Sequence, residues 1–259
     1  MIKVERIRKP EKLTPEIQKS LTEEFKKDKN KSVWNQPYIR SALLKECHGK
    51  CVYCECIIGT GSKDMHVDHF HYKNKYPDEV VSWENLNPAC PQCNRNKSTH
   101  DTYVTPIINP FEQDPKDYFY LKNYRYYSRN EGVYSIVQTS IDVLGLNDTE
   151  EFVKYRFALG ETLSDKLKQI YEKTCDKKDV LSTNVAEKNK ILKGCKNILK
   201  NGIKTAEFAA FMATLIMNDD YYKRTKSILI ELNLWDDELA TLEQEVSSIQ
   251  MNNAPDMIA

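Results

Sequence analysis

The chain has 259 residues, 40% apolar and 29% charged, the balance of a folded globular protein rather than a disordered one. No apolar run approaches the roughly 20 residues that cross a bilayer, and the charged first ten residues lack the apolar centre of an export signal, so a cytoplasmic protein with no membrane partner is expected. Formal charge is zero, yet residues 1–100 hold 18 Lys and Arg against 13 Asp and Glu, so the front half is mildly basic, as suits a polyanion, and the rest acidic.

Thr14-Pro15-Glu16 sets a capping side chain before a proline at the first helical position, which predicts a helix to about residue 27. A polar break over 28–32 precedes a second helix over roughly 36–47. Residues 47–104 lack helical periodicity until Pro91; within them His66-Val67-Asp68-His69-Phe70 alternates in part, like a strand end, and 91–100 reads as a short helix. Turns at Asn109-Pro110 and Asp114-Pro115 lead into an aromatic-rich stretch over 118–134. There Arg129-Asn130-Glu131-Gly132 is expected to connect a half-buried hairpin, which is favoured over a base-stacking surface.

A short helix over 140–144 ends at Gly145, and Asn147 with Glu150 makes a capping-box pattern for a long helix. Residues 148–247 read as three to five helices. Among them 208–217 is apolar nearly all round, as a core helix would be, and 251–259 reads as a frayed tail. The whole is expected to be α+β in four regions: a helical arm (1–46), a metal-stapled module (47–104), a hairpin and connecting region (105–147) and a helical C-terminal region (148–259).

Cysteine placement carries more information than any of these. Six of eight, Cys47, Cys51, Cys54, Cys56, Cys90 and Cys93, fall in one short stretch, with all five histidines (His48, His66, His69, His71, His100) in or beside it. In a chain without an export signal this clustering favours metal ligation over disulfides. Cys51-x-x-Cys54 and Cys90-x-x-Cys93 are two knuckles that together offer four thiolates to one structural Zn²⁺. Cys47-x-x-x-Cys51 and Cys54-x-Cys56 are rival pairs; 51 with 54 is preferred because it matches the second knuckle. Cys175 and Cys195 fall in predicted helices and are expected to be inert.

Between and just after the knuckles stand Asp68-His69, Asn85 and Asn94. Hydrolysis of a phosphodiester needs a divalent ion to neutralise charge and a base to take a proton from water. Asp and Asn oxygens suit Mg²⁺ or Mn²⁺, and an imidazole titrating near neutrality is the natural base. His66 is expected to face solvent from its strand more than to add a third metal ligand.

The order Cys-x-x-Cys, Asp-His, Asn-Leu, Cys-x-x-Cys-Asn-x-x-Lys resembles the HNH endonuclease family, whose fold is a ββα-metal module. The resemblance implies His69 as general base, Asp68 and Asn94 as holders of the catalytic metal, and Asn85 as the residue fixing the His69 loop and ring. It also implies Lys97 and Arg95 on phosphate oxygens. Lys73, by its own type and place, reads equally as a DNA contact or a solvated charge. Ile7-Arg8-Lys9-Pro10, His69-Phe70-His71-Tyr72-Lys73, Trp83-Glu84-Asn85-Leu86 and Ile141-Asp142-Val143-Leu144-Gly145-Leu146-Asn147 are similar to one subfamily. These are the HNH effectors of Septu and retron-associated anti-phage systems, which work beside an ATPase. His71-Tyr72 departs from that subfamily, which tends to carry a proline before the lysine. The implied function is DNA cleavage in anti-phage defence with an ATPase partner. The rivals are a zinc module that binds nucleic acid or protein without cutting, and a toxin-like nuclease acting on RNA.

Overall fold

Helix starts in this chain are set by groups that satisfy, or lack, the free amides of a first turn. In the computed structural model, which describes residues 1–61 and 63–251, α1 (Pro15–Lys27) begins as expected: Thr14 Oγ1 accepts from the Ile17 amide at 3.3 Å and Pro15 supplies no amide to satisfy. α2 (Pro37–Glu46) also opens on a proline. Phe25 of α1, with Leu21, Val33 and Trp34, closes over Val80 and Val81 in an apolar cluster. That cluster seats the residue whose carbonyl grips the candidate base.

β1 (His66–His69) pairs antiparallel with β2 (Leu86–Ala89), in the register His66–Ala89, Val67–Pro88, Asp68–Asn87 and His69–Leu86. Pro88 has no amide to give, and its carbonyl accepts from Val52 at 2.9 Å, joining the first cysteine knuckle to the sheet. α3 (Pro91–Lys97) follows at once, with Cys90 Sγ accepting from the Cys93 amide at 3.3 Å as its cap. The two strands and α3 form the ββα unit.

β3 (Phe119–Lys122) and β4 (Arg125–Ser128) are joined through Asn123 and Tyr124, both left-handed at φ 48° and 62°. This corrects the expected connection at 129–132. A two-residue hairpin turn of type I′ needs positive φ at both positions; Asn123 supplies one readily, and Tyr124 adopts the other with its hydroxyl on Glu161 at 2.7 Å. Residues Glu131–Val133 instead form a short 3-10 turn leading into α4 (Tyr134–Leu144), longer than the piece expected and ended by Gly145 at φ 65°. α4 packs on α3.

Asn147 is not the cap of the long helix. Asp148 takes that place, accepting from Glu151 at 2.9 Å in a π-turn over Thr149–Val153 that runs into α5 (Lys154–Lys177). Asn147 instead gives and takes one hydrogen bond, each 2.8 Å, with the backbone of Tyr126. An amide can do both, whereas a cap needs only an acceptor, which Asp provides.

The chain divides into two compact units, one of residues 1–118 and 128–146, the other of residues 119–127 and 147 onward. Within the described residues the second contains α5, α6 (Val185–Leu199), α7 (Ala209–Asn218), α8 (Asp220–Glu231) and α9 (Asp237–Ile249). α5 packs on α6 and α8, and α7 on α9. α7 buries Ala209, Ala210, Phe211, Ala213 and Ile216, the core helix its composition predicts. Met251 is buried, with its amide on Thr214 Oγ1 at 2.8 Å, so the expected fraying does not begin there; 252–259 lie outside the described residues. Among the described residues no helix is long and apolar enough to cross a membrane. The fold class is α+β, as expected.

Candidate metal centre and catalytic cleft

Two knuckles meet where Val52 docks on β2 and α3 begins. Their four sulfurs, of Cys51, Cys54, Cys90 and Cys93, are buried and lie within 4.8 Å of one another. Cys54 Sγ and Cys90 Sγ are 3.7 Å apart, close to the edge of a tetrahedron built on Zn–S bonds of about 2.3 Å. The donor set therefore fits Zn²⁺. Cys47 is buried and Cys56 Sγ lies 3.4 Å from Cys54 Sγ, yet neither belongs to the group of four.

A cleft of about 710 Å³ is lined by β1 together with Trp34, Arg40, Asn94 and Arg95. His69 lines it at the end of β1. Its Nε2 lies 2.9 Å from the Val80 carbonyl. A carbonyl only accepts, so Nε2 carries the proton and Nδ1 keeps the lone pair of the neutral ring. Trp34 meets the ring edge-on at 4.6 Å between centroids. Burial pushes the His69 pKa down to about 4, against a smaller upward pull from the Val80 hydrogen bond, so the ring is neutral at pH 7.

Asp68 is buried with one partner on each oxygen. Tyr53 donates its hydroxyl to Oδ2 at 2.6 Å and Lys97 donates Nζ to Oδ1 at 3.1 Å. Lys97 also donates to the His69 carbonyl at 2.6 Å. The sequence reading sets Lys97 on phosphate, but the side chain is 2% exposed and turned inward. It stands four residues after buried Cys93, on the same inner face of α3, which is why it points to the core.

Asn85 is buried in the loop between the strands. Its Oδ1 accepts from the His71 amide at 2.6 Å, and its Nδ2 donates to the carbonyls of His71 (3.2 Å) and Glu79 (3.1 Å). It fixes the loop after His69, while Val80 holds the ring. Asn94 Nδ2 is 3.1 Å from His66 Nδ1, and His66 lines the cleft with its side chain 43% exposed. Arg95 is exposed and lines the cleft, as does Lys73, whose Nζ lies 5.0 Å from the Trp34 ring centroid. His71 is stacked on Tyr103 at 3.7 Å and bonded to Thr102, and His100 meets the Thr105 carbonyl at 2.7 Å. Both are tied into loops.

The cleft thus gathers a carboxylate in Asp68 and an amide oxygen in Asn94, while His66 Nδ1 is taken up by the Asn94 amide. Each Asp68 oxygen keeps a lone pair after accepting one hydrogen bond. These oxygen donors fit a hard divalent ion. Sequence reasoning missed Trp34, Tyr53 and Val80. Tyr53 at least lies inside a recognised knuckle, whereas nothing in residue type marks Val80, which acts through its backbone.

The HNH endonuclease family profile matches residues 51–100, from the first knuckle through α3. The Septu protein PtuB of Bacillus thuringiensis is 34% identical over 238 residues, which covers 92% of this chain and 90% of that protein. The chain belongs to the HNH endonuclease family and, within it, to the PtuB group. A match of that extent takes in the helical unit as well as the cysteine module, so the PtuB likeness reaches residues that carry no recognisable motif.

Proposed function

We propose that the chain hydrolyses phosphodiester bonds in DNA as the nuclease of a Septu-type anti-phage system, working with an ATPase partner. One observation carries the nuclease reading: a neutral, buried His69 and the adjacent Asp68 share a cleft with Asn94, stapled beside four convergent cysteines. His69, held through Nε2, takes the proton of the attacking water at Nδ1. Asp68 and Asn94, with His66 beside them, hold Mg²⁺ or Mn²⁺. That ion, when bound, supplies positive charge to the scissile phosphate and the leaving oxygen. Zn²⁺ on the cysteines serves folding alone. Arg95 and Lys73 meet phosphate oxygens from the cleft walls, Asn85 holds the loop behind the base, and Lys97 anchors Asp68. The basic balance of residues 1–100 supports a polyanionic substrate, and the Septu relative supports the defence role and the partner.

Supercoiled plasmid and tRNA incubated in parallel with Mg²⁺ or Mn²⁺, with and without the proposed ATPase partner, test this reading. Plasmid cleavage that Asp68→Asn abolishes at unchanged zinc content is the expected result. Cleavage of tRNA with plasmid intact would move the substrate to RNA. If both stay whole even with the partner, the chain is a binding module.

A further inference from the structure

A line of hydrogen bonds runs from residue 6 to the cleft, and chemistry sets its direction at each link. Arg6 has donors only, and its Nη2 donates to Asn87 Oδ1 at 2.9 Å. That turns Asn87 Nδ2 toward Tyr53, where it donates to the hydroxyl oxygen at 3.1 Å. With its oxygen accepting, the Tyr53 hydroxyl sends its own proton to Asp68 Oδ2 at 2.6 Å. Asp68 Oδ2 is the acceptor at the end of the line, and Lys97 fixes the other oxygen, Oδ1, at 3.1 Å.

The far end of the line is anchored. Buried Glu46 accepts from Arg6 Nη1 at 3.0 Å and from the Ile7 amide at 2.8 Å, and the guanidinium lies 3.5 Å from the Phe111 ring centroid. Tyr53 and Asn87 are both 0% exposed, so solvent offers neither an alternative partner. Tyr53 stands between Cys51 and Cys54, and Asn87 faces Asp68 across the strand pair. The zinc knuckle and the N-terminal arm therefore converge on one carboxylate.

We infer that Tyr53, Asn87 and Arg6 are positioning residues that hold the Asp68 side chain aimed into the cleft, so that the knuckle and the arm set the affinity for the catalytic ion. The inference rests on Asp68 being a ligand of that ion. None of the three touches the reacting atoms, and a purely structural role would lower stability without moving metal affinity in the properly folded chain.

The test is Mn²⁺ binding by the zinc-loaded full chain, read from the EPR signal of free Mn²⁺ without substrate. Tyr53→Phe is expected to raise the Mn²⁺ Kd about 10- to 100-fold, the usual effect of losing a partner behind a metal ligand, with zinc held at one per chain. Arg6→Gln, which brings an acceptor and releases the forced direction, raises it less. Arg6→Lys, donor-only like arginine, stays nearer wild type. Asp68→Asn separates the two layers. If it loses Mn²⁺ while Tyr53→Phe binds like wild type, the positioning inference is overturned and the ligand stands. If Asp68→Asn itself binds like wild type, the ligand reading fails and takes the inference with it. Should Tyr53→Phe lose zinc, the Arg6 pair decides, and equal affinity in Arg6→Gln, Arg6→Lys and wild type overturns the inference.

Discussion

The unit that carries the cleft buries Glu46, Lys50, Glu55, Asp68, His69, Asn85, Asn87 and Lys97, while the polar side chains buried in the described part of the helical unit are Arg156, Thr174, Thr214 and Thr225. Thr174 and Thr214 return their hydroxyls to their own helices, on the carbonyls of Ile170 and Ala210. The first unit thus adds, to an apolar core of its own, directional bonds between charged and polar groups around four sulfurs. The second relies mainly on apolar helix faces, with Arg156 the one charged side chain buried in its described part. Buried charge is tolerable only when paired, so Lys50 with Glu55, Arg6 with Glu46 and Lys97 with Asp68 are conditions of the first fold. A site needing a carboxylate and an imidazole at set angles requires that kind of order, which apolar packing alone does not supply.

Removing zinc strains this contrast most. A structural Zn²⁺ contributes on the order of 10 kcal/mol, more than the first unit can lose. Chelation, or Cys90→Ala, is expected to erase amide protection over β1, β2 and α3 while α5 to α9 keep theirs in hydrogen exchange. Equal loss in both units would erase the distinction. The converse change is Phe211→Ala on α7, which is expected to cost about 3–5 kcal/mol and to lower the helical melt with zinc content unchanged. Zinc loss in that variant would show that the units share one stability.

Smaller, and specific to the first unit, is a dependence on acid. Burial lowers the His69 pKa in the folded chain from 6.5 to about 4. Between those values the unfolded chain binds a proton that the folded chain refuses. Stability therefore falls as pH drops through that window, by about 3 kcal/mol in all, and levels off below pH 4. Denaturation without added Mg²⁺ or Mn²⁺ should show a shallower acid slope for His69→Gln than for wild type. Identical slopes would mean that His69 is not held neutral.

Much of the fold could be read locally. Thr14-Pro15 marks the start of α1, Gly145 marks the end of α4, and the all-round apolar run over 208–217 marks a core helix, because each signal acts within one turn. The hairpin connection was misread because Gly132 is the conventional turn residue, whereas the turn uses Asn123 and a tyrosine held left-handed by tertiary contacts. Asn147 and Asp148 compete for one cap, and only the contact with Tyr126 decides between them. At the site, residue type and spacing marked His69, Asp68, Asn85, Asn94 and the four cysteines. They could not show that Lys97 turns inward, although its spacing from Cys93 hinted at it, nor that a backbone carbonyl at Val80 holds the ring.

The central claim is that His69 activates water in this cleft. Its most direct test is cleavage of supercoiled plasmid in Mg²⁺ or Mn²⁺ by wild type and His69→Ala at matched zinc content, with the proposed ATPase partner present. Loss of a general base lowers rates about 10²- to 10⁴-fold. The account expects a drop of that size, with one zinc retained per chain. A His69→Ala chain that cuts as fast as wild type would contradict it.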